Sequence, residues 1–203
     1  MQQHDAIGEC QSRTKGQYQC NHVAHDVKVI LRPVGFEPLL VKRCVTGHVL
    51  RMSPRKPRLA VRAIIVHEQR LLLVNAYPVE KGSQLWCAPG GGVETGLDLP
   101  GNVRREVFEE TGLRVSVGDL ALVNEFHDPR THFHQVEMFF RCQIVAGQID
   151  DAWRDPENVV GRRQYFSPSE LDKLHLRPKS LPRVAFAGPN LPVQYDPLEK
   201  IVF

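Results

Sequence analysis

The chain lacks the marks of a secreted, metal-stapled or membrane-spanning protein. Its five cysteines, Cys10, Cys20, Cys44, Cys87 and Cys142, are odd in number and form no CxxC pair, which argues against a disulfide framework and a zinc ribbon. Cys20, His22 and His25 lie close together, but their spacing matches no standard zinc pattern. No apolar run approaches the ~20 residues needed to cross a bilayer, and the polar N-terminus has no signal-peptide core. A net charge of +3 is too small to be a nucleic-acid footprint. The one basic cluster, Arg51–Arg58, is broken by prolines and reads as a solvated linker. The expectation is a reduced cytoplasmic protein that binds neither membrane nor nucleic acid, with a homodimer compatible with these features.

With 203 residues, 42% hydrophobic and 24% charged, the chain suits one packed domain with a tail. Residues 1–51 differ from the rest. They are rich in Gln, His and Cys, and only Val27–Leu31 and Pro38–Val45 are strand-like. Two readings are open: a poorly ordered N-terminal extension, or translation from upstream of a true start at Met52. The domain proper is expected over 52–203. Val61–Val66 and Arg70–Val74 predict a hairpin around His67-Glu68-Gln69. Leu85–Ala88 predicts a short strand running into a loop at Pro89-Gly90-Gly91-Gly92. Val115–Val117, Leu120–His127 and Gln135–Ile144 read as further strands, and Pro168–Leu174 as a short helix capped by Ser167 or Ser169. From Leu176, five prolines predict an irregular tail. Strands and helices do not alternate strictly, so a mixed sheet covered by helices, α+β in class, fits better than a doubly wound parallel sheet.

One segment stands out. In Arg105-Glu106-Val107-Phe108-Glu109-Glu110-Thr111-Gly112-Leu113, a helix places Glu106, Glu109 and Glu110 at i, i+3 and i+4, on one face. Like charges at that spacing repel by about 0.2–0.5 kcal/mol per pair, so three of them suggest a neutralising cation. The alternative is a solvated acidic face. Asp98 is the candidate N-cap, with Pro100 and Gly101 in the first turn, and Gly112 the C-terminal stop.

From Gly91 to Leu113 the chain resembles the Nudix hydrolases, whose signature is G-x5-E-x7-R-E-U-x-E-E-x-G-U with U a bulky aliphatic residue. Gly91, Arg105, Glu106, Val107, Glu109, Glu110, Gly112 and Leu113 fall in register. At about 7% usage per residue type, six fixed matches arise by chance about once in 10⁷ windows. The resemblance implies an α/β/α sandwich with a mixed sheet. It also implies Mg²⁺-dependent, or Mn²⁺-dependent, attack of water on a nucleoside diphosphate linked to another group. Glu106, Glu109 and Glu110 are then metal ligands, joined by the Gly90 carbonyl. Glu106 or Glu109 doubles as the base, and Arg105 orients a carboxylate. Nucleotide sugars, ADP-ribose and nucleoside triphosphates are the candidate substrates. A nucleotide-sensing module that keeps the fold without catalysis is the alternative.

One fixed position departs. The first Glu of the signature, which in relatives pairs with the motif Arg, is Leu97 here. Asp98 or Glu94 is the candidate substitute, and Pro100-Gly101-Asn102-Val103 predicts a late or irregular helix start. Downstream candidates for the base are Glu125, Glu137, Asp150, Asp151 and Glu157. Trp86 reads as a core aromatic, and Trp153-Arg154-Asp155 as a loop whose Trp packs or stacks on a base. Arg62 reads as an exposed strand position, and His132 and His134 as neighbours on one strand face. Pro129, 16 residues after the box, matches a spacing found in some ADP-ribose hydrolases of the family.

Overall fold

The computed structural model describes residues 42–43, 49–50, 56–188 and 190–202. The chain divides into two units, Met1–Ser53 and Pro54–Phe203. In the first, β1 (Lys42–Arg43) pairs antiparallel with β2 (Val49–Leu50). The strand expected at Val27–Leu31, the Cys20, His22 and His25 group and most of the basic segment lie outside the described residues. So does the strand expected at Pro38–Val45, apart from Lys42–Arg43.

The second unit runs β3 (Arg58–His67), β4 (Arg70–Asn75), β5 (Trp86–Cys87), β6 (Gly90–Gly92), α1 (Leu99–Thr111), β7 (Arg114–Asp128) and β8 (Phe133–Ala146). It continues with β9 (Arg163–Phe166), α2 (Pro168–Leu171), α3 (Leu181–Phe186) and β10 (Gln194–Lys200). Strands lie in the order β10-β7-β8-β3-β4-β5, with β6 also on β3 and β9 on β4. The β10–β7 and β3–β8 pairs are parallel and the rest antiparallel, so the sheet is mixed.

Side-chain alternation divides the core into two layers. Val61, Ala63 and Ile65 of β3 and Leu72 of β4 meet Val103 and Val107 of α1. Ile64, Leu71 and Leu73 face the other way, against Leu171 of α2 and Leu181, Val184 and Ala185 of α3. Helices on both faces make the α/β/α sandwich, and they explain why β4 is apolar without alternation, as strands covered on both faces are. Val103 and Val107 are fully buried, each contributing roughly 1.5–3 kcal/mol. No helix among the described residues is long and apolar enough to cross a membrane.

Several details differ from the sequence expectation. The expected late helix start is overturned: α1 begins at Leu99, because Asp98 caps it with Oδ1 accepting from Gly101 N–H at 2.6 Å. Pro100 sits in the first turn, where no N–H is required. Gly90–Gly92 is a strand rather than a loop, paired with Ala60–Arg62. The two strands expected over 115–127 are one, β7, with register shifts between Val117 and Leu122. The helix after Ser167 stops at Leu171, three residues short of the expected end. The tail is not irregular. Pro182 occupies the first turn of α3, and Pro197 falls where the β10 register shifts between Asp196 and Glu199, so neither proline needs a ladder bond there.

Candidate active site

The acidic face of α1 lies against the glycine strand β6. Glycine is needed at two positions. Gly90 has φ +140, and a Cβ on it would run into the backbone of β3. A Cβ on Gly91 would stand 2.5 Å from Glu106 Oε2. The bare strand is what lets the α1 carboxylates approach the backbone. Gly90 N–H donates to Glu110 Oε2 at 2.7 Å. The C-terminal end of α1 is also fixed: Trp153 Nε1 donates to the Glu109 carbonyl at 2.8 Å, and Arg163 Nε donates to the Glu110 carbonyl, which satisfies carbonyls the helix leaves open. Gly112, at φ +74, accepts the Trp153 ring where a Cβ would stand 2.9 Å from it. Trp153 is therefore a packing residue.

Arg105 is the hub. Its Nη1 reaches Glu109 Oε2 at 2.8 Å, and its Nη2 reaches Glu106 Oε1 at 2.8 Å, the Gly92 carbonyl at 2.9 Å and Asn102 Oδ1 at 3.2 Å. Burial lowers its pKa, Glu106, Glu109 and Glu94 raise it, and the net shift is upward. Of the two substitutes expected for the missing Glu, Asp98 serves the helix cap. Glu94 stands 3.6 Å from Arg105 Nε, which is buried without a hydrogen-bond partner. The brace that is in place comes from Asn102, fully buried in α1. Its Oδ1 accepts from Glu94 N–H at 2.9 Å, and its Nδ2 donates to the carbonyls of Leu97 and Asp98 at 3.0 Å each. Leu97 itself is exposed. Leu97→Glu is therefore expected to supply Arg105 Nε with an acceptor and raise the melting temperature by a few degrees, as about 1 kcal/mol does in a domain this size. An unchanged melt would show that Glu94 already serves.

Burial pushes the Glu110 carboxyl up to about 8, against the opposing pull of Arg62 and the Gly90 N–H bond. Burial also raises Glu106, opposed by Arg105. A set of hard oxygen donors on one helical turn, with one carboxylate held where its charge is unfavourable, fits the donor chemistry of Mg²⁺. Among the described residues no three carboxylate, imidazole or thiol groups converge on one point, and Arg105 holds two of the three glutamates. The Gly90 carbonyl, expected as a ligand, accepts from Arg62 Nη1 at 2.5 Å.

Arg62 is not the exposed position expected. Its side chain is only 16% exposed, pairs with Glu137 at 2.8 Å and bonds the carbonyls of Ala88 and Gly90. Burial lowers its pKa, but Glu137 and the neighbouring acids leave it raised. Cys87 beside it is pushed up to about 12 by burial and stays a thiol. Of the downstream acids, Glu157 lines the same cavity of about 450 Å³ as the three glutamates. Glu125 is engaged by His134 and Tyr195, Glu137 by Arg62, and Asp150 by the Ala152 N–H; neither these nor Asp151 line that cavity. Asp155 does line it. It organises the loop by accepting from the N–H groups of Glu157, Val159 and Val160. His132 sits in the β7–β8 turn at φ +55, off the strand face that holds His134. Trp86 is a core aromatic, edge-on to Phe166 at 5.0 Å. Pro129 lies in the same turn as His132.

A family model described as the NUDIX domain matches residues 56–185. Among curated proteins, the one named "Putative ADP-ribose pyrophosphatase YjhB" from Bacillus subtilis is 34% identical over 95 residues, covering 45% of this chain and 44% of that protein. Diphosphoinositol polyphosphate phosphohydrolase 2 from Rattus norvegicus is 29% identical over 109 residues, covering 53% and 55%. The chain spans about half the length of these relatives. Among solved structures, a NUDIX hydrolase from Nitrosomonas europaea superposes with a TM-score of 0.55 at 21% identity, covering 86% of this chain and 94% of that one. An ADP-ribose pyrophosphatase from Streptococcus suis gives 0.52 at 24% identity, covering 70% and 100%. These structural likenesses bear on the fold alone.

Proposed function

The chain belongs to the NUDIX domain family, and from that membership we propose that it hydrolyses the diphosphate of a nucleoside diphosphate linked to another group, with Mg²⁺ or Mn²⁺ as cofactor. The observation that carries this reading is the glutamate face of α1 set against the glycine strand, with Glu110 half-buried and its carboxyl pushed up by desolvation. Glu106, Glu109 and Glu110 are the proposed ligands. When bound, the cation neutralises the diphosphate and lowers the pKa of a water. Gly90 contributes its N–H, which fixes Glu110, and its carbonyl, which fixes Arg62. Arg105 is a positioning residue that keeps Glu106 and Glu109 in reach of the glycine strand. Glu157, alone among the downstream candidates in lining this cavity, is the proposed proton acceptor beside Glu106 and Glu109. The products are a nucleoside monophosphate and the phosphorylated partner group.

The test is Mg²⁺-dependent phosphate release, coupled to a phosphatase, across ADP-ribose, nucleotide sugars and nucleoside triphosphates. Metal-dependent release from at least one of them is expected. Nucleotide binding without release from any would favour the second reading, a nucleotide-sensing module. The hold of Arg105 on two glutamates is the observation on its side.

A further inference from the structure

Glu157 stands on the connection between β8 and β9, and two buried polar side chains hold that connection. Asn75, the last residue of β4, is 1% exposed. Its Nδ2 donates to the carbonyls of Tyr77 at 2.6 Å and Val159 at 2.8 Å. Its Oδ1 accepts from the N–H groups of Gly161 at 2.9 Å and Arg162 at 2.7 Å. Both donors and both lone pairs of the amide are thereby used. The rest of the buried part of β4, Leu71–Val74, is apolar, so an apolar residue at 75 would continue the pattern. The amide instead serves a segment 84 to 87 residues further on. Asp155, 8% exposed, holds the same segment. Its Oδ1 accepts from Glu157 N–H at 3.0 Å, and its Oδ2 from Val159 at 2.9 Å and Val160 at 2.8 Å. Val159 is the shared point, its N–H on Asp155 and its carbonyl on Asn75.

The connection is also tied to α1 at the backbone of the glutamates themselves. Trp153 Nε1 donates to the Glu109 carbonyl at 2.8 Å. Arg163 Nε donates to the Glu110 carbonyl, and its Nη2 to the Val160 carbonyl at 2.9 Å. Ties at 153 and 163 therefore bracket Glu157. Beside it the chain turns sharply: Asn158 has φ +55, a conformation asparagine tolerates, and its N–H donates to the Asp155 carbonyl at 2.9 Å. Glu157 itself is exposed, yet Asn75, Asp155, Glu157 and Val159 all line the cavity of the three glutamates. An exposed acid on an untethered loop samples many places. A loop whose backbone is pinned by buried side chains opens rarely and keeps that acid at the rim of one cavity.

We propose that Asn75 and Asp155 are positioning residues that preset Glu157 at the rim of the glutamate cavity, so that the acid is in place without a loop closure. The inference rests on the hydrolase reading with Glu157 as proton acceptor. The full chain is assayed with Mg²⁺ on ADP-ribose, UDP-glucose and ATP, and kcat and KM are taken on whichever is turned over. Glu157→Gln is expected to lower kcat about a hundredfold. Asn75→Ala is expected to lower kcat about tenfold or more with KM within about twofold. In the Glu157→Gln background Asn75→Ala should lower kcat no further, while its drop in melting temperature stays the same in both backgrounds. Asp155→Asn, nearly isosteric, should repeat the pattern more weakly and serves if Asn75→Ala does not fold. Hydrogen exchange without metal or substrate supplies the second readout. The amides of 157–162 should be protected in the wild type and exchange about tenfold faster in Asn75→Ala, with β3 unchanged. Unprotected wild-type amides there overturn the preset loop, whether or not either variant folds. An equal kcat loss from Asn75→Ala with and without Glu157, or a raised KM in its place, overturns the positioning role. Protection lost in Asn75→Ala, in a chain that hydrolyses nothing, would leave the clamp standing while the hydrolase reading fell. Wild-type turnover in Glu157→Gln would do the reverse, removing the positioning role from a chain that remains a hydrolase.

Discussion

Glu110→Gln is expected to lower metal-dependent turnover by roughly a hundredfold or more while making the metal-free protein more stable at alkaline pH. Both effects come from one charge. The carboxylate is partly shielded from water, which pushes its pKa up to about 8 against the opposing Gly90 N–H bond at 2.7 Å. An unfolded Glu titrates near 4.3, so the native state binds the proton more tightly than the unfolded state does. Stability from the neutral form is fully present below about pH 4.3, and it is lost as pH rises through about 8, by on the order of a few kcal/mol. A Gln side chain keeps an oxygen for the Gly90 N–H but never carries the charge. Its melting temperature should exceed the wild type's at pH 8.5, and the gap should close near pH 4. Mg²⁺ should stabilise the wild type at pH 8.5 and stabilise the variant much less, because the cation gains most where a carboxylate is otherwise uncompensated. Melting curves at the two pH values, with and without Mg²⁺, check the electrostatic half, and initial rates at saturating metal check the catalytic half. A variant with wild-type turnover would remove Glu110 from the ligand set.

The parts of this site that the sequence revealed are those fixed by local periodicity. Glu106, Glu109 and Glu110 share a helix face whatever the tertiary structure, because 3.6 residues per turn places them there. Asp98 and Gly112 carry cap chemistry in their own identity. What escaped depends on partners distant in the chain. Glycines carry no side-chain pattern, so the pairing of Gly90–Gly92 with Ala60–Arg62 had no local signature. Arg62 read as exposed because its partner Glu137 lies 75 residues away. Proline content does not decide the tail, because position does: Pro182 in a helix's first turn and Pro197 at a register shift break nothing. Two signals were available and unused. Asn102 lies four residues before Glu106 and so continues the carboxylate face. Asn124 is a buried polar residue that directly follows the apolar run Leu120–Val123.

Asn102→Ala is expected to be the most destabilising change in the site, by about 2–4 kcal/mol. Asn102 ties the segment between β6 and α1 to the helix through the Glu94 N–H, the carbonyls of Leu97 and Asp98, and the Arg105 guanidinium. Alanine leaves these groups to find other partners in a place where Asn102 is fully buried, and unpaired buried groups cost about 1–3 kcal/mol each. In a domain of this size the melting temperature should fall by about 5–15 °C. Turnover in the surviving folded fraction should fall as well, because Arg105 loses the contact that holds it at Gly92 and thereby loosens Glu106 and Glu109. The decisive measurement is the double variant. If Asn102 stands in for the glutamate missing at Leu97, then Leu97→Glu should restore more stability in the Asn102→Ala background than it adds to the wild type. Both residues would be bracing the same guanidinium, and neighbours that share a partner are non-additive. Additive effects would mean that Asn102 serves only the segment before α1 and that the orphan Arg105 Nε is a separate deficit.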